Sequence, residues 1–323
     1  MEREKYMEAN LKKENFLKTF GKNKDKYLFV YGMLLLPVIQ FCIFYIGINF
    51  NSIVMAFKEF AGYAEGGGEI FRWSLENFRR FFGEWAHPET SAVMSALRNT
   101  FKYFTAGVCM VPATFLVAYF LFKKIPGYKF FRVLFFLPSI VSAMLFVTTY
   151  KNLISYGGPI DMLLALVGYR IPPLLTDNAT ATGTIIAFTI WTGFGVNMIL
   201  YQSAMSRIPG EVLEAGQLDG VPWYRELFSI IIPMVWPTLS TTLILLITSL
   251  FNSSGPILLF QGSGVEVDNP AITTTAFWIY RQTFKGADLN YPAAIGMFYT
   301  LVSIPIVFLV RYLFNKIDPD VEY

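Results

Sequence analysis

Along the chain, long apolar runs alternate with short polar segments. Six runs hold no Asp, Glu, Lys or Arg for 18 residues or more: 27–57, 103–122, 133–150, 178–206, 227–265 and 289–310. A hydrocarbon core of about 30 Å is crossed by roughly 20 residues of helix, so each run can supply one span. The pattern predicts an all-α membrane protein with six transmembrane helices. The first run follows 26 polar residues, is too long for a signal-peptide core and has no small-residue cleavage site after it, so it reads as a span.

Punctuation residues mark the ends of these elements. Pro126-Gly127 predicts a tight turn between the second and third spans, and Pro233 and Pro237 fall where the fifth helix is expected to begin. The run 227–265 exceeds one span, so Asn252-Ser253-Ser254-Gly255-Pro256 should end that helix. Pro37, Pro112, Pro138 and Pro305 lie inside spans, either as plain kinks or as sites where neighbouring helices or water satisfy freed carbonyls around an internal path. Residues 58–98 carry EGGGE and an aromatic, amphipathic WSLENFRRFFGEW expected at the outer interface. YGGPIDMLLALVGYRIPPLL within 151–183 suggests a short helix folded back on the membrane, and 261–288 reads as a polar, Gly-rich loop.

Composition agrees with this picture. The 323 residues are 54% hydrophobic, 17% aromatic and 15% charged, with mean hydropathy +0.46, against about a quarter charged in soluble domains. Placement of charge says more than the net +3. Lys and Arg are retained on the cytoplasmic side of short loops. Eight of them precede residue 27, and segments 1–26, 123–132, about 207–233 and 311–323 together hold sixteen of the 26. Both termini are therefore expected in the cytoplasm.

Several chemistries have no support. No G-x-x-x-x-G-K-[ST] is present to hold nucleotide phosphates. One histidine, His87, and two cysteines, Cys42 and Cys109, suit a surface residue and two apolar packing residues. No acidic residue lies within a predicted span, unlike the relays of proton-driven transporters. Carriage of an uncharged polar solute fits better.

One segment stands apart: EAGQLDGVPWYRELFSIIIPMVWP, Glu214 to Pro237, is charged and Gly-punctuated between two apolar runs. Pro209, Glu211 and Glu214 mark a helix start, Leu213 and Leu218 can pack on one side, and Gly220 can end the helix with positive φ. Pro222 can begin a second helix whose Trp223, Leu227 and Phe228 face the protein. Such a cytoplasmic helix can dock in a partner's groove. Lying flat on an anionic leaflet suits its acids poorly.

The pattern E-A-G-x3-G-x9-I-x-I-P from Glu214 to Pro233 resembles the EAA loop in permease subunits of binding-protein-dependent ABC importers. Members usually carry Ala at the position of Gly216 and Leu at that of Ile232. IPGEVLEAGQLDGVPWYRELFSIIIP, FFRVLFFLPSIVSAM, ENFRRFF and LRNTFKYF are similar to the carbohydrate branch (maltose and glycerol-phosphate type), and the likeness covers most of 28–315. Ser253-Ser254-Gly255-Pro256 departs from that branch's Gly-Gly-Pro.

The resemblance implies a type I permease in the plasma (inner) membrane of a prokaryote: a transmembrane domain over 27–315, flanked by a cytoplasmic segment 1–26 and a tail 316–323. Its loop, 207–233, would be a coupling helix for a separate ATPase. Glu214 would contact that subunit, Ala215 and Gly216 would permit close approach, Gly220 would make the turn and Asp219 would support the second helix. The implied partners are a second, related permease, two ATPase subunits and an external solute-binding protein. No cofactor is expected in this chain, ATP and Mg belonging to the ATPase. The chain would be a transport subunit and not an enzyme.

For the path itself, Thr241, Thr248 and Asn252 share a face of the fifth span, and Trp191, Gly195, Met198 and Gln202 share one of the fourth, with Asn197 nearby and Tyr299 in the sixth. These can line a sugar path or hold helices together. A non-sugar solute such as a glycerol phosphate or an amino acid remains an alternative, as does a stand-alone channel or sensor.

Overall fold

The computed structural model of the protein describes residues 24–64, 66–261, 269–285 and 288–317. Residues 1–23 of the N-terminal segment, Glu65 of EGGGE, the stretches 262–268 and 286–287 of the 261–288 loop, and tail residues from 318 onward lie outside the described residues.

Helix α1 (Lys24–Gln40), a π-helical turn (Phe41–Gly47) and α2 (Ile48–Ala56) form the first crossing. A hairpin of β1 (Lys58–Tyr63) and β2 (Glu69–Trp73) follows, antiparallel, with Lys58 opposite Trp73, and then α3 (Glu76–Glu84). The second crossing is α4 (Ala92–Phe122). After it come α5 (Tyr128–Ile140), α6 (Ala143–Ile154) and α7 (Pro159–Ala165). Helix α8 (Asn178–Met205) crosses next and leads to α9 (Gly210–Leu218). A further crossing joins α10 (Trp223–Glu226), a π-helical turn (Leu227–Ile231) and α11 (Ile232–Thr248). Then come α12 (Ile257–Gln261), α13 (Thr275–Lys285) and the last crossing, α14 (Asn290–Ile317).

Five helices among the described residues are thus long and apolar enough to cross, and a sixth crossing exists only if a bent pair is taken as one. That pair is the expected span at 133–150. Its chain turns by 108° between α5 and the stretch that begins at Ala143. Thirteen residues of α5 rise only about 20 Å, short of a bilayer core. Pro138 lacks a donor for the last turn, and the Ser139 hydroxyl donates to Phe136 O at 2.6 Å, so the ladder is weakened just before Val141 and Ser142 go extended.

The fifth crossing differs from expectation in the other direction. It begins at Trp223, ten residues before Pro233, and runs through both prolines. A π-helical turn immediately before the proline accommodates its ring and missing N–H without ending the helix. Its far end is as expected, with α11 closing at Thr248 and Gly255 at φ +54 before α12. Pro126-Gly127 makes the expected turn, with Gly127 at φ +82.

The hairpin had no counterpart in the sequence reading, and α3 is more than an interfacial helix. Asn77, buried, donates to Ala56 O (3.2 Å) and Lys58 O (2.8 Å), tying α3 to the end of the first crossing. Phe81, 1% exposed, enters an aromatic cluster with Phe298, Tyr299 and Phe251. Glu84 accepts from the Tyr291 hydroxyl and the Ser91 hydroxyl, each at 2.5 Å, and so joins α3 to the starts of α14 and α4. The expected polar loop is also pinned where it is described. Asn99 donates to Pro270 O (2.7 Å) and Thr273 O (3.1 Å), and the Thr100 and Thr275 hydroxyls meet at 3.1 Å. The short helix of the 151–183 segment is α7, held by Asp161, which accepts from the Gly157 and Ile171 N–H groups and from Arg170.

Two further cores sit elsewhere in the bundle. One gathers Phe115, Tyr119, Met198, Tyr201, Met205, Leu227, Ile231 and Val235 at the α9 end, and another gathers Val147, Ile185, Phe188 and Phe260. By contrast, every described side chain from Asp25 to Phe50 is exposed, and only α2 packs on α14.

Candidate functional site

The charged segment folds as two helices joined by a glycine turn. Pro209 precedes α9, where its fixed φ suits a helix start, and Glu211 lies in the first turn. The helix closes through a paired turn: Gly220 N–H donates to Gln217 O (3.1 Å) and Val221 N–H to Gly216 O (3.0 Å). Such a turn requires a left-handed residue, and Gly220 takes φ +65. Pro222 then opens α10.

The two faces of α9 are unlike. Leu213 and Gly216 turn inward: Leu213 packs on the core, and a Cβ on Gly216 would stand 3.3 Å from Ile230 Cδ1. Glu211, Glu214, Ala215, Gln217 and Asp219 turn outward with Leu218, which is 89% exposed. Three expectations are corrected here. Leu218 does not pack beside Leu213, because a five-residue offset on a helix places them on different faces. Phe228 is 66% exposed, because the residue after Leu227 points to a different side of the helix from the core face that Leu227 occupies. Asp219 ends α9 and is exposed, and α10 begins without a side-chain cap, so it does not close the second helix. Trp223 is half exposed with its ring 5.5 Å from Phe120.

The sequence reading missed the charge that matters inside this segment. Glu226 is 6% exposed, and its carboxylate receives the Lys123 ammonium at 2.9 and 3.0 Å. The Tyr119 hydroxyl, buried, lies 3.3 Å from both Glu226 Oε2 and Trp223 O. Glu226 was legible only as one more loop charge, and Lys123 only as part of a basic turn. A contact across 103 residues leaves no local signal.

The residues singled out for a path are dispersed. Thr248 and Asn252 share a groove of about 260 Å³ between α11 and α14 with Thr300 and Ser303. Thr241 is exposed on the same face of α11, and the Thr241 and Thr248 hydroxyls donate back to Pro237 O and Ile244 O. Trp191 is 42% exposed and packs its ring against Phe146 at 4.9 Å. Asn197 is half-buried. Gln202 and Met198 are buried in the core at the α9 end, and the Gln202 Nε2 has no hydrogen-bond partner among the described residues. Gly195 lets α8 press on α5, where a Cβ would lie 3.0 Å from Phe135 O. Tyr299 is stacked on Phe251 at 4.8 Å within the aromatic core.

Five to six apolar helices with one short helix beside them define a multi-pass membrane protein. The model of the family described as "Binding-protein-dependent transport system inner membrane component" matches residues 110–323, two thirds of the chain, and the protein belongs to that family. "Probable ABC transporter permease protein YesP" of Bacillus subtilis is 26% identical over 242 residues, covering 74% of this chain and 75% of that protein. "sn-glycerol-3-phosphate transport system permease protein UgpA" of Pectobacterium atrosepticum is 26% identical over 246 residues, 76% of this chain and 81% of the relative. "Multiple sugar-binding transport system permease protein MsmF" of Streptococcus mutans is 26% identical over 202 residues, covering 62% and 68%.

Among solved structures, "Crystal structure of a bacterial ABC transporter involved in the import of the acidic polysaccharide alginate" superposes with a TM-score of 0.78 at 20% identity, covering 93% of this chain and 99% of that one. "Crystal structure of bacterial alginate ABC transporter in complex with alginate pentasaccharide-bound periplasmic protein" gives 0.76 at 20% identity, covering 92% and 97%. These two establish a shared fold.

Proposed function

We propose that the protein is the membrane permease of an ATP-driven importer for a sugar or oligosaccharide, coupled through 209–233 to a separate ATPase. The observation that carries this reading is the outward face of α9. A helix held off the bundle, with Leu218 89% exposed between Glu214 and Asp219, presents an apolar knob ringed by acids. In water such a face is costly, and a partner's groove is its natural cover.

On this reading both termini are cytoplasmic, the α9 end of the bundle faces inward, and the hairpin and α3 face outward. ATP and Mg act on the ATPase, and this chain supplies no group for their chemistry. A second permease completes the path, to which Thr248 and Asn252 contribute their groove. Relatives named for sugars, and a neighbour solved with a periplasmic protein, support a solute-binding protein that delivers the cargo. Both the ATPase and the solute then bias one two-state element, as reciprocal coupling requires. The relative named for sn-glycerol-3-phosphate supports the second reading, a phosphorylated polyol.

The test is reconstitution with the ATPase, the second permease and the binding protein. Glu214→Lys should abolish solute-stimulated ATP hydrolysis and transport while leaving the helical content intact. Unchanged ATPase binding and transport in this variant would remove the coupling role. Calorimetry on the binding protein with sugars and with glycerol phosphate decides the solute.

A further inference from the structure

We propose that Glu226, Lys123 and Tyr119 form the joint through which a displacement of α9 reaches the second crossing, and that they act as positioning residues for transport. The inference rests on the importer reading above and adds the route by which force leaves the coupling segment.

The coupling segment is attached to the bundle in two ways, through α9 and, beyond the Gly220 turn, through Glu226 at the end of α10. One attachment is apolar: Leu213 lies on the core, and Gly216 faces Ile230, whose Cδ1 would stand 3.3 Å from a Cβ at that position. Contacts of this kind are non-directional and can slide. The other is directional. Glu226 is buried, both its oxygens meet Lys123, and the hydroxyl of fully buried Tyr119 reaches one of them. Charge-assisted bonds in a water-poor site hold both distance and orientation.

Position along the chain gives the pair its meaning. Glu226 immediately precedes the π-helical turn at Leu227–Ile231. A π turn breaks the regular ladder and is compliant, so a push on α9 sent straight along the fifth crossing would be partly absorbed there. The carboxylate sits on the α9 side of this soft element. It therefore passes the push sideways to α4, whose last turn holds Tyr119 and whose closing residue is Lys123. Lys123 also suits that place, as a cation at a helix C-terminus.

Helix α4 can carry the displacement across the membrane. Its 31 residues span roughly 45 Å, and at the opposite end Asn99 and Thr100 grip the 270–275 segment, buried from Ile272 to Thr275. One continuous helix, its ladder missing a donor at Pro112, thus connects the joint beside α10 with the segment that Asn99 and Thr100 hold.

The experiment uses the reconstituted complex and measures solute moved per ATP hydrolysed in wild type, Glu226→Gln, Lys123→Met and the double variant. Glu226→Gln keeps the shape of the side chain and should lower that ratio about five-fold or more, the low end of ordinary coupling energies. ATP hydrolysis without loaded binding protein should rise at the same time. Lys123→Met should do the same, and the double variant should be no worse than either single one.

A purely structural pair predicts otherwise. The double variant leaves no unpaired charge, and such replacements are often neutral for folding. If it restores the ratio to the wild-type value, or if Glu226→Gln leaves the ratio unchanged, the joint is refuted. Should Glu226→Gln not fold, Lys123→Gln at the more exposed partner carries the same comparison. A wild-type complex without solute-stimulated hydrolysis refutes the importer reading and the joint together. A coupled wild type beside a coupled Glu226→Gln refutes the joint alone.

Discussion

Gly216 and Gly220 stand four residues apart in one helix and its cap, yet they answer to different constraints. Gly220 occupies φ +65, where a side chain costs about 1–2 kcal/mol. Gly216 is an ordinary helical position, where Ala is favoured by about 1 kcal/mol, and its added methyl meets only the tip of Ile230 at 3.3 Å. Gly220→Ala should therefore lower the thermal midpoint of the purified protein and impair coupling. Gly216→Ala should leave the midpoint level or raise it, in keeping with the Ala common to related loops. Equal losses from both would contradict the assignment of their backbones. The positive φ at Gly220 was legible in the sequence, because a glycine before Pro222 at a helix end has few other uses. The inward face of Gly216 was not, since Ile230 meets it only through the fold.

At the scale of elements, the outer helix α3 shows how an apolar pattern can be read correctly while its packing partner stays open. Its alternation marks an amphipathic helix, and such a helix can lie on lipid or on protein with the same sequence. The structure puts Phe81 among Phe298, Tyr299 and Val93 and uses Asn77 and Glu84 as ties on either side. Phe81→Ala should cost about 3–5 kcal/mol, the usual range for a buried Phe, measured as lost folded yield and a lower unfolding midpoint. Phe82→Ala, next in sequence but 52% exposed, should cost far less. The third predicted span is bent for a related reason. Charge-free length shows that a segment can be buried in lipid, and it does not show that the segment is straight. The 108° turn depends on two residues leaving helical geometry after Pro138.

At the scale of the molecule, the ends of the bundle have distinct characters. One carries α9, α10 and the Lys123–Glu226 pair, and the other carries the hairpin, α3 and the 270–275 segment. If the basic segments are cytoplasmic, single cysteines at the two ends should label from opposite sides. In a background lacking Cys42 and Cys109, which are exposed on their helices, an impermeant maleimide should reach Arg72→Cys in intact cells. It should reach Gln217→Cys only after the membrane is opened. Labelling of both from one side would overturn the orientation.

The exposed first crossing belongs to this scale too. From Asp25 to Phe50 every described side chain is exposed, an apolar face that lipid or another subunit would suit.

What the sequence determined by itself was local: where charge-free helices run, where glycine and proline end them, and which loop carries the family pattern. These follow from single residues and their near neighbours, because hydropathy and backbone freedom are properties of short stretches. Only the tertiary structure decided which residues of those helices meet. It buried Glu226 against Lys123, stacked Tyr299 on Phe251, left Leu218 bare and bent the third crossing. Each of those outcomes depends on what lies opposite in space, and a linear pattern carries no record of its neighbours across the bundle.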